Sequence, residues 1–334
     1  MSNFFNLLLN EQIKIFIRKS TWVMYIAIVC LILFTAAMEK VFGDHPTEIS
    51  EDWRVQLEEE NERINKEIKG FDEDGGDLFS LPPNPDRIEI NNFYLERDIK
   101  PQKYGAWNFI FDNAGLLSLI SLFTIIIAAN IIASEHHLGT IKLLLIRPIS
   151  RTKILLSKFT SILIFTIITS GFLFISSYII GTMFFGIESG INPHSIVLDF
   201  NNSVKGDIIS ANADYYKYTS LPQAVFSQYG YQMVIFVMMA TLALMISTIF
   251  KNNALAIGVA IFLMFAGNTI VFFLEKYSWA KFILFANLDL SQYVNDAPMF
   301  EGMTLQFSII NLLVHFVFFL GVAWFVFVKR DVTE

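Results

Sequence analysis

The densest run of chemistry-capable side chains in this 334-residue sequence is Glu135-His136-His137-Leu138-Gly139-Thr140-Ile141-Lys142-Leu143-Leu144-Leu145-Ile146-Arg147-Pro148-Ile149-Ser150-Arg151, closing on Lys158. Glu135-His136-His137 offers metal-ligand types without the H-E-x-x-H spacing, and adjacent histidines point to different sides of a helix. No metal is expected there. Asn311 and His315 form the second polar pair, four residues apart on one face of an apolar run. They could hydrogen-bond across helices or line a polar pathway, His315 being the titratable member. No G-x-x-x-x-G-K-[ST] occurs, so the chain has no phosphate cradle of that type, and no Ser/His pattern of a membrane protease is present. Neither catalysis nor a cofactor of its own is expected. Cys30 is the single cysteine, which excludes an internal disulfide framework.

Composition says what must position these groups. The chain is 54% hydrophobic, 15% aromatic with 34 Phe, and only 16% charged, against about 25% charged in soluble domains. A net charge of −7 leaves no basic field for nucleic acid. The surplus apolar residues belong in lipid. Six uncharged stretches approach the ~20 residues a bilayer requires: 22–38, 114–134, 159–186, 229–250, 254–274 and 307–328. The first has a leader peptide as its alternative, with Thr35-Ala36-Ala37 as the cleavage site, but 21 residues with their own pattern precede it. If both termini are cytoplasmic, Lys and Arg outnumber Asp and Glu in the inner segments, and acids prevail in the outer ones. That is the positive-inside arrangement, with 142–158 as the strongest contributor. The expectation is an all-α, multi-pass protein of the cell membrane with six transmembrane helices and both termini cytoplasmic.

Residues 1–21 read as an amphipathic helix on the inner leaflet, Asn6, Asn10, Lys14 and Arg18 opposing Phe5, Leu9, Ile13 and Ile17. Its alternative is a simple extension of the first span. The large first outer loop, 39–113, is acidic and partly helical: Ser50 could cap a helix running to Lys69, ended by Gly70, with Trp53, Leu57, Ile64 and Ile68 on one stripe. That stripe suits a helical hairpin or a pairing surface. The acidic run Asp72–Asp77 lacks the spacing of a calcium loop and reads as a solvated linker. Residues 187–228 form a second outer loop. Residues 275–306 are unusually apolar for an outer loop and fit a re-entrant or interfacial helix. Between spans two and three, 135–158 would form a short cytoplasmic helix bracketed by Gly139 and Pro148, then a helix capped by Ser150 that rises into span three.

The pattern Glu135, Gly139-Thr140, Leu143-Leu144-Leu145, Pro148, Ser150-Arg151 and Lys158 resembles the ABC-2 type transporter permeases, nearest the bacitracin-export and sodium-export branches. The layout of spans and loops agrees along most of the chain, and the residue types agree over 135–158. The resemblance implies the membrane subunit of an ATP-binding-cassette exporter, paired with itself or a similar chain. Cytoplasmic ATPase subunits, carrying ATP and Mg, would dock on Glu135, Gly139, Thr140, Leu144, Arg147, Pro148, Ser150 and Arg151. It implies ATP-driven alternating access with a peptide antibiotic, a lipid or another amphipathic compound as cargo, and hence efflux and resistance. Two alternatives stand beside it: a gradient-driven secondary transporter, disfavoured by the uncharged spans, and a membrane immunity or sensor protein without transport.

Overall fold

The computed structural model describes residues 2–43, 51–74, 86–140, 149–187, 193–198, 216–293 and 298–329. In chain order the helices are α1 (Ser2–Ile17), α2 (Lys19–Phe42), α3 (Trp53–Asp74), α4 (Asp86–Glu96), α5 (Ala106–Asp112), α6 (Leu117–His137), α7 (Arg151–Phe185), α8 (Leu221–Ile249), α9 (Asn253–Phe273) and α10 (Leu305–Lys329). Strands β1 (His194–Leu198) and β2 (Tyr216–Ser220) pair antiparallel between α7 and α8, with His194 opposite Ser220. This two-stranded sheet is carried by the expected loop 187–228 of an otherwise helical chain.

Five rods are long and apolar enough to cross a bilayer: α2, the α5–α6 unit Ala106–His137, α7, α8 and α10. The apolar helix α9 packs beside them. Every rod is longer than the apolar run that announced it, because polar residues at its ends continue the same backbone hydrogen bonds. The α5–α6 unit starts at Ala106 rather than residue 114, so the last turns of the expected outer loop belong to the bundle. The packing explains why: α5 lies against α7 at Gly181, where an added Cβ would sit 3.0 Å from the Phe109 ring and 3.2 Å from the Ala106 Cα.

Burial ranks the helices. The most apolar windows of α5–α6 and α8 are 61% buried, those of α2 and α10 only 22%. The core pair is therefore α6 and α8, with α7 and α9 packed on α6 and with α10 against α8. Apolar side chains gain nothing from each other relative to lipid, so close approach and hydrogen bonds must hold such helices together. Ala128, Ala129 and Ala133 of α6 and Ala240 and Ala243 of α8 are buried. Hydroxyls tie the helices across: Ser247 Oγ accepts the Ile132 and Ala133 N–H groups at 3.1 and 3.0 Å, Thr124 and Thr166 hydroxyls meet at 2.9 Å, and those of Tyr25 and Thr169 at 3.0 Å.

At the end of the bundle away from α1, α3 and α4 form an antiparallel hairpin. Trp53 and Leu57 pack on Tyr94, and Ile196 and Tyr218 of the sheet join them. Arg54 pairs with Asp98, and Arg87 with Glu60 at 3.3 Å. The helix α3 passes through Gly70, expected to end it, and continues to Asp74; Ser50 lies outside the described residues.

The apolar segment after α9 folds as three 3-10 turns, Ser278–Phe282, Leu284–Asn287 and Leu290–Tyr293, in place of one helix. Asn287 is fully buried and organises it, donating to the carbonyls of Lys281 and Ile283 at 2.8 Å each and accepting the Ser308 hydroxyl of α10 at 2.6 Å. A segment spending its polar groups on internal turns needs no helix to bury Leu284, Leu288 and Leu290.

Candidate functional site

At the opposite end, α1 lies across the junction of α6 and α7. Leu7, Glu11 and Ile15 face the protein and are buried, whereas Phe5, Leu9, Ile13 and Ile17 are exposed on the far side. Gln12 fastens the helix by donating to the Ser161 carbonyl at 2.8 Å. A helix with one protein face and one apolar outer face suits the edge of a bilayer.

Under α1 sits a ring of four charges. Lys158, on the second turn of α7, is fully buried. Its ammonium donates to Glu11 Oε2 at 2.9 Å, to Glu135 Oε1 at 2.8 Å and to the Ile131 carbonyl at 3.3 Å, which uses all three protons. Lys14 closes the ring, 2.8 Å from Glu11 Oε1 and 3.1 Å from Glu135 Oε1. Two cations and two anions alternate, so the cluster is neutral and each charge touches two of opposite sign. Burial alone would raise the Glu11 carboxyl, but Lys158 and Lys14 outweigh it and hold the group below its ordinary value of 4.5. For Lys14, burial works downward and is outweighed by Glu11 and Glu135, so its ammonium is held above 10.5. Three chain segments are thereby pinned at one point: α1, the last turn of α6, and the start of α7.

The segment between those last two is the one singled out in the sequence. The helix α6 ends where Gly139 takes a left-handed φ of 69°, with the Leu138 N–H on the Ser134 carbonyl at 2.9 Å. The Thr140 hydroxyl reaches the Glu135 carbonyl at 3.4 Å. Leu144, Arg147 and Pro148 lie outside the described residues. Ser150 occupies the N-cap position of α7 with extended backbone, but its side chain makes no capping bond. Arg151 donates to the Val328 carbonyl at 2.8 Å, binding the last turn of α10 to the start of α7. Among the described residues no group of three or more metal-ligating side chains forms.

Asn311 and His315 do not pair through their side chains. His315 Nδ1 lies 2.9 Å from the Asn311 carbonyl of its own helix, and Asn311 Nδ2 donates to the Lys281 carbonyl at 3.3 Å. The cross-contact of Asn311 thus goes to the 3-10 segment rather than to a neighbouring helix. In the sequence, Glu135 and Lys158 enter as members of the 135–158 pattern and Lys14 as part of the polar face of residues 1–21, while Glu11 is left aside. A signal was there: Glu11 is the one acid before the first span, and Lys158 interrupts an apolar run, both positions where an isolated charge needs a partner.

Comparison with known proteins assigns no activity. The chain is 38% identical over 333 residues to "Uncharacterized protein YhcI" of Bacillus subtilis (strain 168), covering 98% of this chain and 99% of the relative. It is 34% identical over 221 residues to "Uncharacterized membrane protein YdbK" of the same organism, covering 64% of this chain and 78% of that protein. With its apolar rods, the chain is a multi-pass membrane protein. Residues 84–333 match the family model described as "Protein of unknown function (DUF2705)", and the chain belongs to that family.

Proposed function

We propose that this chain is the membrane subunit of an ABC-2 type exporter, with six spans, both termini in the cytoplasm and ATP hydrolysis in a separate partner. The observation that supports this most is the charge ring, which joins α1 to both helices flanking residues 138–150. A soluble motor can do work on a membrane bundle only through an element that projects from it and is stiffly attached. Here α6 ends and α7 begins on either side of residues 138–150, and the buried ion pairs hold those two helix ends to each other and to α1. Movement of the segment would be passed to both helices together, and through α6 to α8 and α9. Differential binding of the two nucleotide states of the ATPase supplies the free energy. A second copy or a similar chain completes the pathway, and an amphipathic compound is the cargo.

Purification in gentle detergent from the native membrane, with identification of what stays bound, tests this. A co-purifying ATPase that is lost in an Arg147→Glu variant is the expected result. A folded chain that retains no ATPase in any mild detergent would overturn the reading. The gradient-driven alternative draws on one observation, the ionisable ring itself, and predicts transport by reconstituted chain alone under a pH gradient.

A further inference from the structure

A cavity of about 190 Å³ lies where α6, α8, α9 and the 3-10 segment meet, at the end of the bundle away from α1. Its polar lining is Ser118, Ser121, Gln232 and Asp289, and its apolar lining includes Met239, Met264 and Phe285. The two kinds are separated along the bundle. Ser118 and Ser121 belong to the first two turns of α6, whereas Met239 lies seven residues beyond Gln232 on α8, about 10 Å deeper at 1.5 Å per residue. A molecule filling the cavity would therefore be polar at the mouth and apolar beneath.

Charge fixes the sign of the polar end. Among the described residues Asp289 is the one carboxylate on the lining, and no Lys or Arg lines the cavity with it. The hydrogen bonds Asp289 receives, from the Ser291 N–H at 2.9 Å and the Ser291 hydroxyl, fall on Oδ1. An anionic head group would meet this carboxylate without a compensating cation. A small, strongly hydrated cation would exchange water for thioethers and a ring, which do not replace it. A bulky organic cation loses little hydration and is favoured by aromatic and thioether surfaces. The aromatic wall is held in place: the Phe285 ring lies so close on Gly267 that any Cβ there would overlap it.

We propose that this cavity binds cationic amphiphiles, with the positive head group at Asp289 and the apolar body running down between Met239 and Met264. The inference names the cargo class of the proposed exporter and rests on that reading for the outward placement of this end. Binding itself requires no ATPase, so the two can fail separately.

The test uses the purified full chain in nanodiscs of zwitterionic lipid and three diphenylhexatriene probes: the trimethylammonium derivative, the uncharged parent and the propionate. Energy transfer from tryptophan reports occupancy above lipid partitioning. The trimethylammonium probe is expected to bind saturably and ahead of the propionate. Asp289→Asn should weaken the cation roughly two- to fivefold, the size of one exposed charge contact, and leave the parent unchanged. Gly267→Ala, which displaces Phe285, should weaken cation and parent alike. Equal binding of the propionate and trimethylammonium probes by the wild-type chain overturns the proposal, whatever the variants do. So does undiminished cation binding in Asp289→Asn.

Discussion

Replacing Lys158 with methionine removes the cation shared by two carboxylates while keeping a side chain of similar length. At an effective dielectric near 20, each of its contacts, at 2.8 and 2.9 Å, carries about 6 kcal/mol of attraction. Dehydration of the ammonium offsets much of that in the intact protein. Removing one partner of a buried pair leaves the other charges stranded, at a net cost of about 3–5 kcal/mol. Lys14 still touches both carboxylates but is 49% exposed, so it screens their repulsion only in part. At about 2 °C per kcal/mol for a chain of this size, the apparent unfolding midpoint should fall by roughly 6–10 °C. The assay is thermal unfolding of purified protein in nanodiscs at one scan rate, read by intrinsic fluorescence. The informative control is the triple variant Glu11→Gln, Glu135→Gln, Lys158→Met, in which only Lys14 stays charged and, at 49% exposure, keeps its contact with water. It should regain most of the loss, since apolar or neutral replacement of a whole buried network is often close to neutral. A single-variant midpoint within about 2 °C of wild type, or a triple variant less stable than the single, would refute the charge-ring argument.

Because the Glu11 carboxyl is held below 4.5, its contribution is present above that pH and lost as pH falls through the lowered folded value. Lys14, held above 10.5, contributes below that pH and loses it as pH rises through the raised value. A stability profile should therefore show an acid limb that flattens in Glu11→Gln and an alkaline limb that flattens in Lys14→Met. Burial pushes the Tyr94 hydroxyl up to about 12, so folded Tyr94 stays neutral where the unfolded chain ionises. Stability should fall between about pH 10 and 12, and an ultraviolet phenolate titration of Tyr94→Phe should lack one late-titrating group. Gly139→Val forces a β-branched residue into left-handed backbone and should cost about 1–2 kcal/mol, with Gly139→Asn milder, in the same thermal assay. Ser247→Val removes the acceptor of two α6 N–H groups and should cost about 1 kcal/mol.

Apolar runs were legible because lipid imposes one strong, local rule: length without charge. That rule located α2, α6, α7, α8, α9 and α10 and missed α5, whose Trp107, Asn108 and Asp112 look like loop material until Gly181 is brought against them. The periodicity of α1 was readable, but the separation of its buried Leu7–Glu11–Ile15 face from its exposed Phe5–Leu9–Ile13 face depends on what it docks against. Gly70 failed as a helix stop because a glycine ends a helix only when the chain turns there, as it does at Gly139 with its positive φ. The strand Tyr216–Ser220 is five residues in a polar stretch, too short to signal its pairing with His194–Leu198. For the ring, Glu11 and Lys158 each signal the need of a partner, but neither names it. Their meeting is a tertiary fact, spanning 147 residues between Glu11 and Lys158.

The hydroxyl of Ser247 reaches Ile132 across 115 residues of chain. At ~5–20 residues per second, the ribosome delivers Ser247 roughly 6–23 s after Ile132. During that interval the central helix of the bundle has none of its later neighbours. What it does have arrives sooner: Lys158 is 23 residues from Glu135, and Thr166 is 42 from Thr124. Glu11 and Lys14 are already made. The first four helices to reach the membrane edge can thus close their charges and hydroxyls on one another as a neutral unit. Every member of the ring that fixes the finished bundle is thus synthesised before α8 through α10.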